Sequence, residues 1–166
     1  MDDKYIIDSN AFIEAKNRYY GFEICPGYWD LLEKAFNNDI ISLVQPVYKE
    51  LIYTDDKLSM WVKQFSQKVV KPDTGTQQSF IQVVNYVENN YTSSKHKPDF
   101  LAKADPWIIA EALKTNATVV THEVYIDDKN SPKIKIPNIC EHFELRVIDV
   151  FGLIKELDER FVLDNN

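Results

Sequence analysis

Acidic residues stand at the ends of predicted strands, where an α/β protein places its chemistry. Asp8 follows the apolar run Lys4–Ile7, and Glu123 comes just after the run Ala117–Thr121. Asp105 opens the helix that leads into the second run. Ligands of open α/β sheets collect outside the carboxyl ends of the strands, and carboxylate oxygens suit hard cations such as Mg²⁺. The spacing therefore predicts a cluster of acids at one edge of a sheet.

A fourth acid, Glu50, is placed by a helix. Pro46 suits the first turn of that helix, and Val47, Glu50, Leu51 and Thr54 follow the i, i+3, i+4, i+7 spacing of one helix face. A carboxylate on a partly apolar face must meet a cation, a metal or hydrogen-bond donors, or else hold a proton. Glu50 is therefore a candidate for the same site.

Each acid also has a local alternative. Asp105 before Pro106 is typical of a helix N-cap, and Asp8 is placed to cap the turn that follows it. Glu50 and Glu123 are compatible with exposed surface positions. The recurrence of acids at several strand ends favours the functional interpretation over four separate local roles.

Alternating strands and helices are predicted to position these acids. Such alternation predicts an α/β fold whose mostly parallel central sheet is covered on both faces. Asn10 is predicted to cap the helix after the first strand. The remaining predicted pairs are the strand Ile40–Val44 with the helix from Pro46, the helix Trp107–Lys114 with the strand Ala117–Thr121, and the strand Arg146–Val150 with the helix Phe151–Phe161.

Between the two halves of the chain, apolar residues repeat at helical spacing over 58–69 and again over 80–91. These patterns predict two amphipathic helices separated by a turn at 72–75. The polar and basic stretch Thr92–Lys103 is predicted to be a loop. Tyr28, Trp29 and Phe36 are expected in the core.

The 166 residues fit one domain, 1–166, and 45% hydrophobic residues supply a sizeable core. Cys25 and Cys140 lie outside any metal-ligand or disulfide pattern and are expected to be buried free thiols. The sequence contains no signal-peptide pattern and no apolar run long enough to span a bilayer. A cytoplasmic location without membrane contact is expected.

The formal net charge of −7 argues against binding of nucleic acid by bulk electrostatic attraction. Clustered carboxylates at one metal site would account for much of that excess. Bound cations would then invert the local field.

The order of the acidic motifs resembles that of PIN-domain nucleases over nearly the whole chain. The motifs are Asp8-Ser9-Asn10 after a strand, Glu50 within Val47–Leu51, Asp105 before Pro106–Ala110, and Thr121-His122-Glu123 after Ala117–Val120. Phe12–Tyr20 and Pro26–Trp29 are similar to a PIN-like subgroup catalogued as DUF4411. The resemblance implies a three-layer α/β/α fold and an acidic site for Mg²⁺ or Mn²⁺.

The resemblance also implies that the chain is a ribonuclease. Asp8, Glu50 and Asp105 are the expected metal ligands, and Glu123 is expected to complete the site directly or through water. PIN proteins more often carry Asp at that last position, so Asp127 and Asp128 are alternatives to Glu123. Two divalent cations activate water and stabilise the leaving oxygen in phosphodiester cleavage.

Substrate RNA is expected to meet local basic and polar groups. Asn10 is a candidate for orienting a water or a phosphate, with helix capping as the alternative, and Glu14 is a candidate for an outer shell of the site. The basic candidates for RNA contact are Lys16, Arg18, Lys95, Lys97 and Lys103.

Other classes of protein fit less well. A haloacid-dehalogenase phosphohydrolase carries a second Asp where this chain has Asn10. A non-enzymatic PIN scaffold that binds RNA or a protein partner is the alternative from a different class. The resemblance to VapC-like toxins implies an antitoxin partner, whereas a homodimer is a separate expectation.

Overall fold

A computed structural model describes residues 4–162 of the chain. Its centre is a parallel sheet of strands β1 (Tyr5–Ile7), β2 (Ile41–Val44), β3 (Val69–Val70), β4 (Thr118–Val120) and β5 (Val147–Ile148). The order across the sheet is β3-β2-β1-β4-β5, and the paired strands of the described residues all run parallel. The predicted α/β class with a parallel sheet is confirmed.

Helices connect these strands. They are α1 (Ser9–Glu14), α2 (Pro26–Asn37), α3 (Gln45–Leu51), α4 (Lys57–Lys63), α5 (Thr74–Asn90), α6 (His96–Leu101), α7 (Asp105–Thr115), α8 (Ile136–His142) and α9 (Val150–Glu156). A π-helical turn, Ala15–Tyr19, continues α1, and a 3₁₀ turn, Ser66–Lys68, precedes β3. None of the helices in residues 4–162 is long and apolar enough to cross a membrane.

The central strand β1 is apolar throughout because helices cover both faces of the sheet. All three of its residues, Tyr5, Ile6 and Ile7, are buried. Tyr28, Trp29 and Phe36 of α2 are also buried, which confirms their predicted core positions. Trp29 donates a hydrogen bond from Nε1 to the carbonyl of Tyr20 at 2.7 Å. A buried indole thus keeps a polar partner.

Several local predictions were wrong. The helical pattern over 58–69 breaks after Lys63, and Val69 belongs to β3, paired with Leu43 of β2. The polar stretch Thr92–Lys103 contains α6 rather than being all loop. Thr54 lies beyond the end of α3 and so does not share a helix face with Glu50.

The cysteines are both free, as predicted, but differ in burial. Cys140 is buried, and burial raises the pKa of its thiol to about 12. Cys25 is only half-buried, so the expectation of burial is confirmed for Cys140 alone. A thiol with a raised pKa is a poor nucleophile near neutral pH.

A buried polar network fastens α5 to α7, the helix that begins at Asp105. The Thr76 hydroxyl donates to Glu111 at 2.6 Å, and the two residues are 1% and 4% exposed. Lys114 pairs with the same carboxylate at 3.1 Å, and Asp73 holds the backbone N–H of Thr76 at 2.8 Å. The network fixes the second half of α7, which carries Glu111 and Lys114, against the start of α5.

Replacement of Thr76 by Val is expected to lower the free energy of unfolding by about 1–3 kcal/mol, because a buried carboxylate loses its hydroxyl donor. Urea unfolding of the metal-free protein measures the change. Thr92→Val, at an exposed threonine, is the matched control and should change stability little. Equal losses in both variants would contradict the role given to the network.

Candidate metal centre

The candidate site lies where the strand order of the sheet reverses. From β1 the chain builds towards β2 and β3 on one side, and later adds β4 and β5 on the other. The backbone N–H of Asp8 donates to the carbonyl of Val120 at 2.9 Å, so the ends of β1 and β4 are joined. Open α/β sheets bind ligands in the crevice at this reversal.

Asp8 is the most buried acid of the site, at 4% exposure. Burial raises the pKa of its carboxyl from an ordinary 3.8 to about 6, although the hydrogen bond from Thr121 opposes the rise. The negative charges of Glu123 and Glu50 raise the pKa further. A buried carboxylate that faces other carboxylates is stabilised by a cation.

Thr121 and Asn10 form a hydrogen-bond network around Asp8. The Thr121 hydroxyl donates to Asp8 Oδ2 at 2.8 Å and accepts from Asn10 Nδ2 at 3.1 Å and from the Glu123 backbone N–H at 3.1 Å. Asn10 Oδ1 accepts the backbone N–H of His122 at 3.0 Å. The network locks the end of β4 to the start of α1.

The sequence-based prediction that Asn10 caps α1 is wrong, because the helix begins at Ser9 and Asn10 lies inside it. Its amide instead ties two segments of the site together. Thr121 belongs to the Thr121-His122-Glu123 motif, but no prediction assigned it a role. A hydroxyl directly after a buried strand is the signal that could have found it.

Asp105 begins α7, and the N-cap position belongs to Ala104. The N-cap alternative for Asp105 is therefore wrong. Burial raises the pKa of the Asp105 carboxyl to about 7, with further increases from the charges of Asp8, Glu123 and Glu50 and a smaller opposing effect of Lys103. Within residues 4–162, this carboxylate accepts no hydrogen bond and forms no ion pair.

Glu50 approaches from the far end of α3. Its Oε1 accepts the backbone N–H of Ala104 at 3.3 Å, which places it at the start of α7 beside Asp105. The residue is exposed, whereas Val47 and Leu51 on the same helix are buried. The predicted helix thus positions Glu50 at the rim of the site.

Glu123 is held by the segment that leads into α8. Lys135 donates to Glu123 Oε1 at 2.6 Å, and the backbone N–H of Ile136 donates to Oε2 at 2.8 Å. The alternatives Asp127 and Asp128 lie elsewhere. The charge of Asp127 contributes to the raised pKa of Tyr125, and Asp128 accepts a hydrogen bond from the backbone N–H of Asn130 at 2.9 Å.

Asp8 and Asp105 thus each lie in the field of Glu50 and Glu123, and Asp105 also lies in the field of Asp8. Across the described part of the chain, however, no three Asp, Glu, His or Cys side chains are already arranged as a metal-binding group. The donor set is entirely oxygen, which suits Mg²⁺ or Mn²⁺. The unpaired Asp105 carboxylate also offers oxygen atoms, the kind of ligand that these cations prefer.

Basic side chains occupy one flank of the site. A cavity of about 280 Å³ is lined by Asp105 and Glu123 together with His96, Lys103, Lys133 and Lys135. Of these three lysines, the sequence singled out only Lys103. Lys133 and Lys135 were missed, although their spacing directly before Ile136-Pro137 marks an extended segment that enters a helix.

The other predicted basic contacts are paired or more distant from the acids. Lys16 forms an ion pair with Asp56 at 2.7 Å, and Arg18 pairs with Glu14 at 2.8 Å. Lys97 pairs with Glu88 at 2.6 Å, and Lys95 is exposed just before α6. Their role in RNA binding remains a prediction.

Comparison with family models places residues 5–161 in a family described as "Domain of unknown function (DUF4411)". Because the match covers nearly the whole chain, this protein belongs to that family. No curated protein matches the sequence.

A solved structure shares the fold. It is described as the crystal structure of VapBC2 from Rickettsia felis bound to a DNA fragment from their promoter. The TM-score is 0.51 at 16% sequence identity, and the match covers 87% of this chain and 97% of that chain. The chain therefore shares the fold of that structure, and its parallel five-stranded sheet is consistent with the PIN-like α/β fold that the sequence motifs predicted.

Proposed function

We propose that this protein is a divalent-metal-dependent endoribonuclease whose metal ligands are Asp8, Glu50, Asp105 and Glu123. The observation that carries the proposal is the Asp105 carboxylate, which is partly buried and unpaired within residues 4–162 and lies in the field of three other acids. An acid in that position costs stability unless a cation binds. Mg²⁺ or Mn²⁺ would supply Lewis-acid stabilisation of phosphoryl charge and an activated water.

Other residues of the chain position the acids and attract the substrate. Thr121 and Asn10 hold Asp8 in place through hydrogen bonds. The N–H of Ile136 and the ammonium of Lys135 orient the Glu123 carboxylate. Lys103 lies beside Asp105, where it attracts the phosphate backbone of the substrate.

The test is incubation of the purified protein with a mixed pool of single-stranded RNAs, with Mn²⁺ or with excess EDTA. Internal cleavage with Mn²⁺ and none with EDTA is the expected result. Full cleavage in EDTA would exclude the metal mechanism. Resolution of the products by size distinguishes internal cuts from trimming of the ends.

A PIN scaffold without catalysis is the second candidate, favoured by the lack of a preformed metal group among the described residues. A scaffold would bind RNA or protein but leave the RNA pool intact in Mn²⁺. The chain of similar fold comes from a complex named VapBC2 that is bound to promoter DNA. By that likeness we also propose an antitoxin-like protein partner for this chain.

A further inference from the structure

A second cavity continues from the basic flank of the site. It measures about 620 Å³ and lies between the end of α5, the helix α8 and the connecting segment 125–133. Lys133 lines both this cavity and the one that contains Asp105 and Glu123. The two cavities are therefore neighbours, with a single lysine between them.

A partly exposed aromatic ring lines this second cavity. Tyr125 is 44% exposed, and its hydroxyl donates to Glu141 at 2.7 Å. No aromatic side chain of residues 4–162 packs against its ring, whereas nearby Tyr86 is already stacked on His142 at 3.7 Å. A ring that is anchored at its hydroxyl, partly exposed and without an aromatic partner among the described residues is suited to stack a planar ligand.

The segment that carries Tyr125 is fixed by a reciprocal pair of hydrogen bonds. The Ile126 backbone N–H donates to Asn138 Oδ1 at 3.1 Å, and Asn138 Nδ2 donates to the Ile126 carbonyl at 2.8 Å. The segment has no helix or strand of its own in this region. Side-chain bonds to α8 therefore pre-form the cavity.

Both cavities carry charges of both signs. The first is lined by Lys103, Lys133 and Lys135 beside Asp99, Asp105 and Glu123, and the second by Lys129 and Lys133 beside Asp127, Asp128 and Glu141. Lys133 lines both cavities and forms no ion pair within residues 4–162, so it is placed to contact a phosphate where the two adjoin. Asp127 accepts no hydrogen bond from the described residues, so its carboxylate is available to a donor such as an amine.

On the basis of the proposed function, we infer that the second cavity binds one nucleobase of the RNA substrate while Lys133 contacts the adjoining phosphate. Tyr125 stacks on the base, and Asp127 accepts a hydrogen bond from its exocyclic amine. Adenine, cytosine and guanine carry an exocyclic amine, and uracil carries none. The cavity therefore selects amine-bearing bases beside the cleaved bond.

Fluorescence anisotropy with labelled adenosine, cytidine and uridine homo-oligonucleotides in EDTA tests this inference without catalysis. The parent should bind the adenosine and cytidine oligomers more tightly than the uridine oligomer. Tyr125→Ala should weaken binding about tenfold or more, because stacking on an aromatic ring is lost. Tyr125→Phe should retain most of the affinity, and Tyr53→Ala, at a tyrosine that is 90% exposed and lines neither cavity, should retain all of it.

The acid and the lysine have separate readouts. Asp127→Ala should remove the preference over uridine, and Lys133→Ala should reduce the salt slope by about 0.7 while the Lys63→Ala control leaves it unchanged. Equal affinity of the parent for the three oligomers, or no loss in Tyr125→Ala, would overturn the inference. If the parent cuts RNA but these variants bind the oligomers as the parent does, the proposed function stands and the inferred base cavity is wrong. If the parent and the variants bind as expected but the parent cuts no RNA in Mn²⁺, the base cavity stands and the proposed function is wrong.

Discussion

Replacement of Asp8 by Asn is expected to reduce metal-dependent RNA cleavage by at least about 100-fold, since even residues that only orient metal ligands contribute about 10–100-fold. The substitution keeps the shape of the side chain and the hydroxyl donor of Thr121 at 2.8 Å still has an oxygen to meet. The charge is lost, and Oδ1, which accepts from the Ser9 hydroxyl at 3.4 Å, is replaced by an NH₂ group. Initial rates on one RNA at saturating Mn²⁺ measure the effect.

Asp30→Asn is the matched control, because it removes the same charge from an exposed position on α2. That variant should cleave at the rate of the parent. A similar rate for Asp8→Asn would remove Asp8 from the proposed site. A similar loss in both variants would point to a general effect of charge instead.

The second large effect concerns the metal-free protein, in which Asp105→Asn is expected to raise stability. The pKa of Asp105 is raised to about 7 in the folded protein from an ordinary 3.8. A raised carboxyl pKa means that the folded state holds its proton more tightly than the unfolded state does. The penalty is therefore absent below about pH 4, grows as the pH rises, and is complete above about pH 7.

Above pH 7 the variant should unfold with a free energy higher than that of the parent by on the order of 2–4 kcal/mol, from the roughly 1.4 kcal/mol that each pKa unit represents. The difference should shrink towards zero as the pH falls to about 4. Asp105 suits this test because its carboxylate accepts no hydrogen bond within residues 4–162. Its replacement by an amide therefore takes an acceptor away from none of the donors in that range. Urea unfolding in EDTA across this pH range measures the difference.

Addition of Mn²⁺ should reverse the order of the two proteins. A metal that binds only the folded parent raises its melting temperature with concentration. Asp105→Asn should respond less, because a ligand has been lost. Equal responses to Mn²⁺, or a stability difference that does not change with pH, would contradict the placement of Asp105 in the metal centre.

The parallel sheet and its acidic edge could be predicted from the sequence because local signals agreed with one another there. Apolar runs before Asp8 and Glu123, and the proline after Asp105, each mark an element boundary. Strand ends of a parallel sheet share one edge, so element boundaries alone bring acids together. Glu50 required one further condition, a helix long enough to reach α7, and α3 ends one residue after it.

What failed depended on contacts between distant parts of the chain. Val69 continues the helical spacing that includes Phe65, and only pairing with Leu43 makes it part of a strand. The position of Glu123 is set by Lys135 and Ile136, which follow it by 12 and 13 residues across a segment without regular structure. Neither partner leaves a periodic signal near the residue it fixes.

The adjacency of β1 and β4 also determines when during synthesis the site first exists. Asp8 and its donor Thr121 are separated by 113 residues, so the first acid leaves the ribosome long before the strand that completes its surroundings. At the usual rate of about 5–20 residues per second, that interval is roughly 6–23 seconds. A nascent chain would therefore carry Asp8 without a formed metal centre. The acidic site therefore cannot form until the chain as far as β4 has left the ribosome.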